Sequence, residues 1–208
     1  MTRIPDLFHL RKITVTTTVL LLTGSSTLFA APISDTVKQC ETCHGQQGNN
    51  NEEKVPNIAG ISHEYLQESL EDFKHEKRKG DRFKAPEQKE TDMNEVTRNL
   101  SDAEIASLAK HFSRNKFIPR KQPFDTKLAK KGKKIYERRC ERCHEDSGRS
   151  SDDDMGRLAG QPMEYLKEQM EEFMSAERKP PKKMAKQLKK LKPGDITPLL
   201  HFFASQQD

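Results

Sequence analysis

The chain has 208 residues, of which 33% are charged and only 32% hydrophobic, and its net charge is +5. So little apolar material excludes a multi-span membrane protein and a single large hydrophobic core, while so small a net charge does not enforce disorder. A chain of this composition either stays loose or borrows apolar mass from elsewhere, and its four cysteines suggest the source.

Arg3, Arg11 and Lys12 precede an apolar stretch over 13–30, which ends at Leu28-Phe29-Ala30-Ala31-Pro32. A basic start, a short apolar middle and small residues at the end predict a secretory signal over 1–30, with cleavage near Ala30. The alternative is an uncleaved membrane anchor, but Thr and Ser dilute the stretch and make it a poor span. The expected location is the periplasm.

Beyond the signal, the chain reads as two copies of one unit. Cys40-Glu41-Thr42-Cys43-His44 returns as Cys140-Glu141-Arg142-Cys143-His144, and the same offset pairs Ala59-Gly60 with Ala159-Gly160, Tyr65-Leu66 with Tyr165-Leu166 and Phe73 with Phe173. Further on, the offset falls by nine: Leu100 pairs with Leu191, Ile105 with Ile196, Leu108 with Leu199 and Phe112 with Phe203. The first copy therefore carries extra residues between Phe73 and Leu100, and the charged run 77–89 is their expected place. Pro119 and Pro123 bracket a basic stretch of linker composition. The expected organisation is a first domain over 31–118, a linker over 119–124 and a second domain over 125–208.

Tyr65, Leu66, Leu70 and Phe73 share one helical face, repeated by Tyr165, Leu166, Met170 and Phe173. Ser101 and Glu104 form a capping-box signature ahead of Ile105, Leu108 and Phe112. A further helical run over 127–139 leads into the second cysteine pair. No alternating strand pattern follows the signal, so the expected fold is all-α.

Cys-x-x-Cys-His is the attachment signature of c-type haem: the two thiols become thioethers on the haem vinyl groups and the adjacent histidine reaches the iron. Cys40, Cys43, Cys140 and Cys143 are the expected attachment points of two haem c groups, with His44 and His144 as iron ligands. A zinc site shared by the two pairs calls for a shorter gap, and a thioredoxin-like site calls for a βαβ context that this sequence lacks.

The second axial ligand is read from the copies. In the first, Met93 competes with His63, His75 and His111; in the second, Met184 competes with Met155, Met163, Met170 and Met174. Met93 and Met184 each stand seven residues before the paired leucines Leu100 and Leu191, whereas no histidine is preserved between the copies. The expected irons are ligated by His44 and Met93 and by His144 and Met184. Two protein ligands per iron predict electron transfer without catalysis.

On these residues, together with Pro56-Asn57-Ile58-Ala59-Gly60, Asn99-Leu100-Ser101-Asp102 and Leu158-Ala159-Gly160, the chain resembles the di-haem class I cytochromes c, most closely the cytochrome c4 family. The resemblance implies two tandem class I cytochrome c domains, each wrapped around one covalently attached haem c, in a periplasmic electron carrier serving a terminal oxidase or a similar acceptor. The cytochrome subunit of flavocytochrome c sulfide dehydrogenase is similar too, so a non-catalytic electron-accepting subunit of a dehydrogenase is the alternative. Pro56 resembles the family proline whose carbonyl orients the ligand histidine; its counterpart here is Gly156.

The halves differ in charge. Residues 31–120 carry 14 basic and 16 acidic side chains, and residues 121–208 carry 20 and 15. Lys182, Lys183, Lys186, Lys189, Lys190 and Lys192 surround Met184. They read either as a solvated surface or as a rim that meets an acidic redox partner. Export and a modest net charge argue against nucleic acid.

Overall fold

The structure, a computed structural model, describes residues 33–152 and 155–208. The expected signal segment, 1–30, lies outside the described residues. α1 (Ser34–His44) buries Val37 and ends in the first cysteine motif, and a single turn, Gln46–Gly48, follows it. α2 (His63–Lys74) begins where the Ser62 hydroxyl accepts a hydrogen bond from Tyr65 N at 3.1 Å, and it buries Leu66 and Phe73 from the expected face. The short α3 (Met93–Thr97) starts at the candidate ligand itself. α4 (Asp102–Ser113) opens with the expected capping box: Glu104 N donates to Ser101 Oγ at 3.3 Å, and Ser101 N donates to the Glu104 carboxylate at 2.8 Å.

In the second half, α5 (Thr126–Arg139) is capped by the Asp125 carboxylate, which accepts from Lys127 N and Leu128 N. A distorted turn α6 (Glu145–Gly148) holds Asp146 and Ser147 at positive φ just beyond the second motif. α7 (Met163–Ser175), α8 (Lys182–Leu188) and α9 (Ile196–Ala204) complete the chain. Among the described residues there is no strand, only an isolated antiparallel bridge between Phe83 and Thr91. It lies within the expected charged insertion and its flank.

Two separate cores result. α2 packs on α3 and α4, where Val37, Ile61, Leu66, Leu108, Ala109 and Phe112 are buried with Cys40 at their edge. α5 and α7 pack on α9, where Ile135, Tyr136, Leu166, Leu199, Leu200, Phe202 and Phe203 are buried with Cys140 at their edge. Matching backbone bonds frame the two: Ala59 N donates to Gly48 O and Gly60 N to Phe112 O, while Ala159 N donates to Gly148 O and Gly160 N to Phe203 O. Gly48 and Gly148 share a φ of 83°, a conformation that glycine adopts without steric cost.

The halves close on each other, and the described residues form one compact unit. Tyr165 N donates to Glu53 O at 3.1 Å, Ser151 Oγ to Gly60 O at 3.0 Å, and Lys54 pairs with Glu168 at 2.6 Å. The segment 119–124 joins the seam, with Arg120 N donating to Gly160 O at 2.8 Å.

Candidate haem centres

A cavity of about 430 Å³ opens in the first half and is closed on one side by Arg157, Gln161, Tyr165, Glu168 and Gln169 of the second. Cys40, Cys43 and His44 line it, and so does Met93. The rival ligands His63, His75 and His111 do not. Leu66, Leu70, Phe73, Val96, Leu100, Leu108 and Phe112 make the remaining wall largely apolar. All four candidate residues of the first half therefore share one chamber, reached from α1 on one side of the sequence and α3 on the other.

The imidazole of His44 has one nitrogen engaged and the other free. His44 is buried and its Nδ1 lies 2.9 Å from Pro56 O. Nδ1 must carry the proton that this carbonyl accepts, which leaves the Nε2 lone pair free. Burial lowers the pKa, outweighing the Pro56 bond, and keeps the ring neutral. Burial likewise pushes the Cys40 and Cys140 thiols up to about 11. A redox-active thiolate needs the opposite shift. No cluster of three or more His, Cys, Asp or Glu side chains suited to a metal occurs among the described residues.

The second set is distributed differently. Cys140 follows α5 and packs on the second core, Cys143 is exposed, and Tyr136 Oη donates to the His144 carbonyl. Met184 stands half-buried in α8, whose neighbour Leu191 touches the same core. His144 Nδ1 is buried without a hydrogen-bond partner. The Gly156 carbonyl lies close enough to act on the ring, and burial lowers the His144 pKa more than that carbonyl raises it. The glycine thus does not reproduce the grip of Pro56.

The sequence alone did not reveal a cluster at the seam. Arg78 is 5% exposed, stacks on Phe73 at 4.4 Å, and donates to Tyr165 Oη at 3.2 Å and to Gln169 Oε1. Arg178 stacks on Phe173 at 4.6 Å and donates to the same Gln169 oxygen at 2.8 Å. Two guanidinium ions so share one neutral acceptor. Glu172 is close enough to feel both, yet burial raises its pKa. Arg78 makes no ion pair within 4 Å among the described residues, its Nε is buried without a partner, and it lines the cavity. A permanently charged group in such a place calls for an acid. Haem brings both apolar bulk and two carboxylates, so the cavity and its arginine fit it.

Comparison with known proteins agrees with this chemistry. The Cytochrome c family profile matches residues 26–114. Cytochrome c4 of Thiocapsa roseopersicina is 30% identical over 147 residues, covering 66% of this chain and 70% of that protein. Reduced recombinant cytochrome c4 from Pseudomonas stutzeri superposes with a TM-score of 0.67 at 26% identity, over 83% of this chain and 95% of that one. A thiosulfate dehydrogenase from Marichromatium purpuratum shares the fold at a TM-score of 0.64 and 21% identity, over 80% of this chain and 36% of that one.

Proposed function

The chain belongs to the cytochrome c4 family, a di-haem electron-transfer cytochrome with two covalently bound haem c groups, and we propose that it is a periplasmic carrier whose irons are ligated by His44 and Met93 and by His144 and Met184. The observation that carries this reading is that Met93, alone among the first-half candidates, lines the cavity that holds Cys40, Cys43 and His44. The two units are assigned to 31–118 and 125–208, joined by 119–124.

The haem supplies the one-electron couple; the chain tunes and shields it. Cys40, Cys43, Cys140 and Cys143 tether the rings. His44 presents Nε2 because Pro56 O holds its other nitrogen. The thioethers of Met93 and Met184 are neutral, favour the reduced state and raise the potential relative to a second imidazole. The apolar wall around Phe73, Leu100 and Phe112 excludes water. The exposed lysines 182, 183, 186 and 189 are assigned to docking of an acidic redox partner. With a histidine and a methionine holding each iron, the protein would pass electrons and transform no substrate.

The test is the optical spectrum of the reduced haem-loaded protein before and after carbon monoxide. An unchanged low-spin spectrum is expected. A shift in either haem overturns the reading of closed, transfer-only irons.

A further inference from the structure

The axial residues of the two sites are held with unequal firmness. Around His44, the Pro56 carbonyl also accepts Asn50 Nδ2 at 3.1 Å, and Asn50 N donates to Asn57 Oδ1 at 2.8 Å. Asn57 is 1% exposed. The proline is therefore fixed inside a buried asparagine knot. One hundred residues later the same places hold Ser150, Gly156 and Arg157, and His144 Nδ1 has no hydrogen-bond partner.

The methionine side repeats the contrast. Asp92 caps the helix that begins at Met93, accepting from Glu95 N at 2.8 Å. Arg82 clamps both acids, reaching Asp92 at 2.9 Å and Glu95 at 2.7 Å. Asn94 donates to Phe73 O at 2.6 Å and to Arg78 O at 2.8 Å while accepting from Gly80 N at 2.8 Å. Thr97 Oγ1 closes on Met93 O at 2.8 Å. Gly80 lies so close that a Cβ there would stand 2.7 Å from Met93 N.

Met184 has none of this. α8 is seven residues long and starts after Pro181, which offers no side-chain cap. Lys182 and Lys183 fill its first turn, where cations oppose the helix dipole. From 179 to 191, no side chain forms a hydrogen bond or an ion pair among the described residues; backbone bonds such as Ala185 N to Pro181 O at 2.9 Å and the apolar contacts of Leu188 and Leu191 hold it. A helix this short is marginal without such support.

We propose that Met184 is the labile ligand of the pair, so that the second iron of the oxidised protein accepts a small neutral nitrogen donor in its place while the first stays closed. This rests on the reading of Met93 and Met184 as axial ligands. In the exchange the Met184 thioether leaves and the lone pair of the incoming nitrogen replaces it; no electron or proton moves.

The experiment is an imidazole titration of the oxidised full-length protein carrying both haems, followed through the sulfur-to-iron charge-transfer band. Half of the band is expected to disappear first and the other half at about tenfold higher concentration or more, as the loss of a cap and an ionic clamp implies. The Met184→His variant should lack the first phase and keep the second. A protein with no such band before imidazole overturns the ligand reading and the proposal with it. A single phase, or an early phase that survives Met184→His and vanishes in Met93→His, overturns the lability alone. A variant that fails to take up haem is replaced by hydrogen exchange on the unmodified haem-loaded protein. There α8 amides should exchange at least about tenfold faster than those of α3, and equal protection overturns the proposal.

Discussion

Asn57 and Gln161 exchange two hydrogen bonds across the seam: Asn57 N donates to Gln161 Oε1 at 2.9 Å, and Gln161 Nε2 donates to Asn57 O at 2.8 Å. Both residues are 1% exposed. A glutamine side chain here stands in for a strand partner and satisfies one backbone donor and one acceptor that water cannot reach. Gln161→Ala leaves both unsatisfied and should cost about 3 kcal/mol, read as a lower urea midpoint of the haem-loaded protein. A stability unchanged within error would show that the seam contributes little.

How much of this was legible can be argued from particular residues. The motif at Cys40 and Cys140, the helical face of Leu66 and Phe73 and the Ser101–Glu104 cap are local patterns, and local patterns are what a sequence displays. The α1 helix is short beside α5, at 11 against 14 residues. The seam was not legible. Gln161 and Gln169 look like ordinary polar residues, and only the approach of the other half makes them buried acceptors. Arg78 and Arg178 stand among other charged residues in the sequence, yet each stacks on a phenylalanine. The brace on Met93 was hidden for the same reason: Arg82 belongs to an insertion that the copies cannot align.

Arg78 places a permanent positive charge on the wall of the first cavity. A nearby cation favours the reduced haem, which carries one charge less. Arg78→Gln should lower the midpoint potential of the first haem by on the order of 50 mV, and Arg78→Lys should recover part of the loss. A spectroelectrochemical titration that resolves the two haems reads both shifts. Equal potentials in the glutamine variant and the parent protein would mean that the charge is fully screened.

The cap of α5 gives a pH dependence of known sign. Backbone bonds from Leu128 and Lys127 hold the Asp125 carboxyl below its ordinary range. A depressed folded pKa contributes stability that is present above the unfolded value, about 4, and is lost as pH falls through the folded value. Asp125→Ala should lower the thermal midpoint near neutrality, and its gap from the parent should narrow on acidification. Asp125→Asn keeps the cap and should lack that pH response. A gap constant from neutral to acid pH would contradict the charge's part in the cap.

Gly132 sits in the middle of α5, where glycine is a poor helix former. Its reason is the neighbour: a Cβ there would stand 1.9 Å from Pro198 O and 2.8 Å from Phe202 Cβ. The first of these is backbone at the start of α9 and cannot swing aside. Gly132→Ala gains helix propensity yet should destabilise the second half by about 3 kcal/mol. Lys131→Ala, exposed on the same helix, should leave stability nearly unchanged. A stabilised Gly132→Ala protein would mean that α5 and α9 separate freely.

The docking role proposed for the lysines around Met184 makes the rate of electron transfer depend on ionic strength. Lys182, Lys183, Lys186 and Lys189 are exposed and, among the described residues, carry no acidic partner within 4 Å. Their field should draw in negative oxidants and repel positive ones, and salt should weaken both effects. Oxidation of the reduced protein by an anionic metal complex should therefore slow as ionic strength rises. With a cationic complex it should accelerate. Lys183→Glu with Lys186→Glu should slow the anionic reaction roughly tenfold at low salt and flatten its salt dependence. The reductive spectrum should stay unchanged, because neither lysine touches an iron ligand's hydrogen bonds. Parallel salt profiles for the two oxidants would place the electron's exit elsewhere, at an edge of the protein that these lysines do not govern.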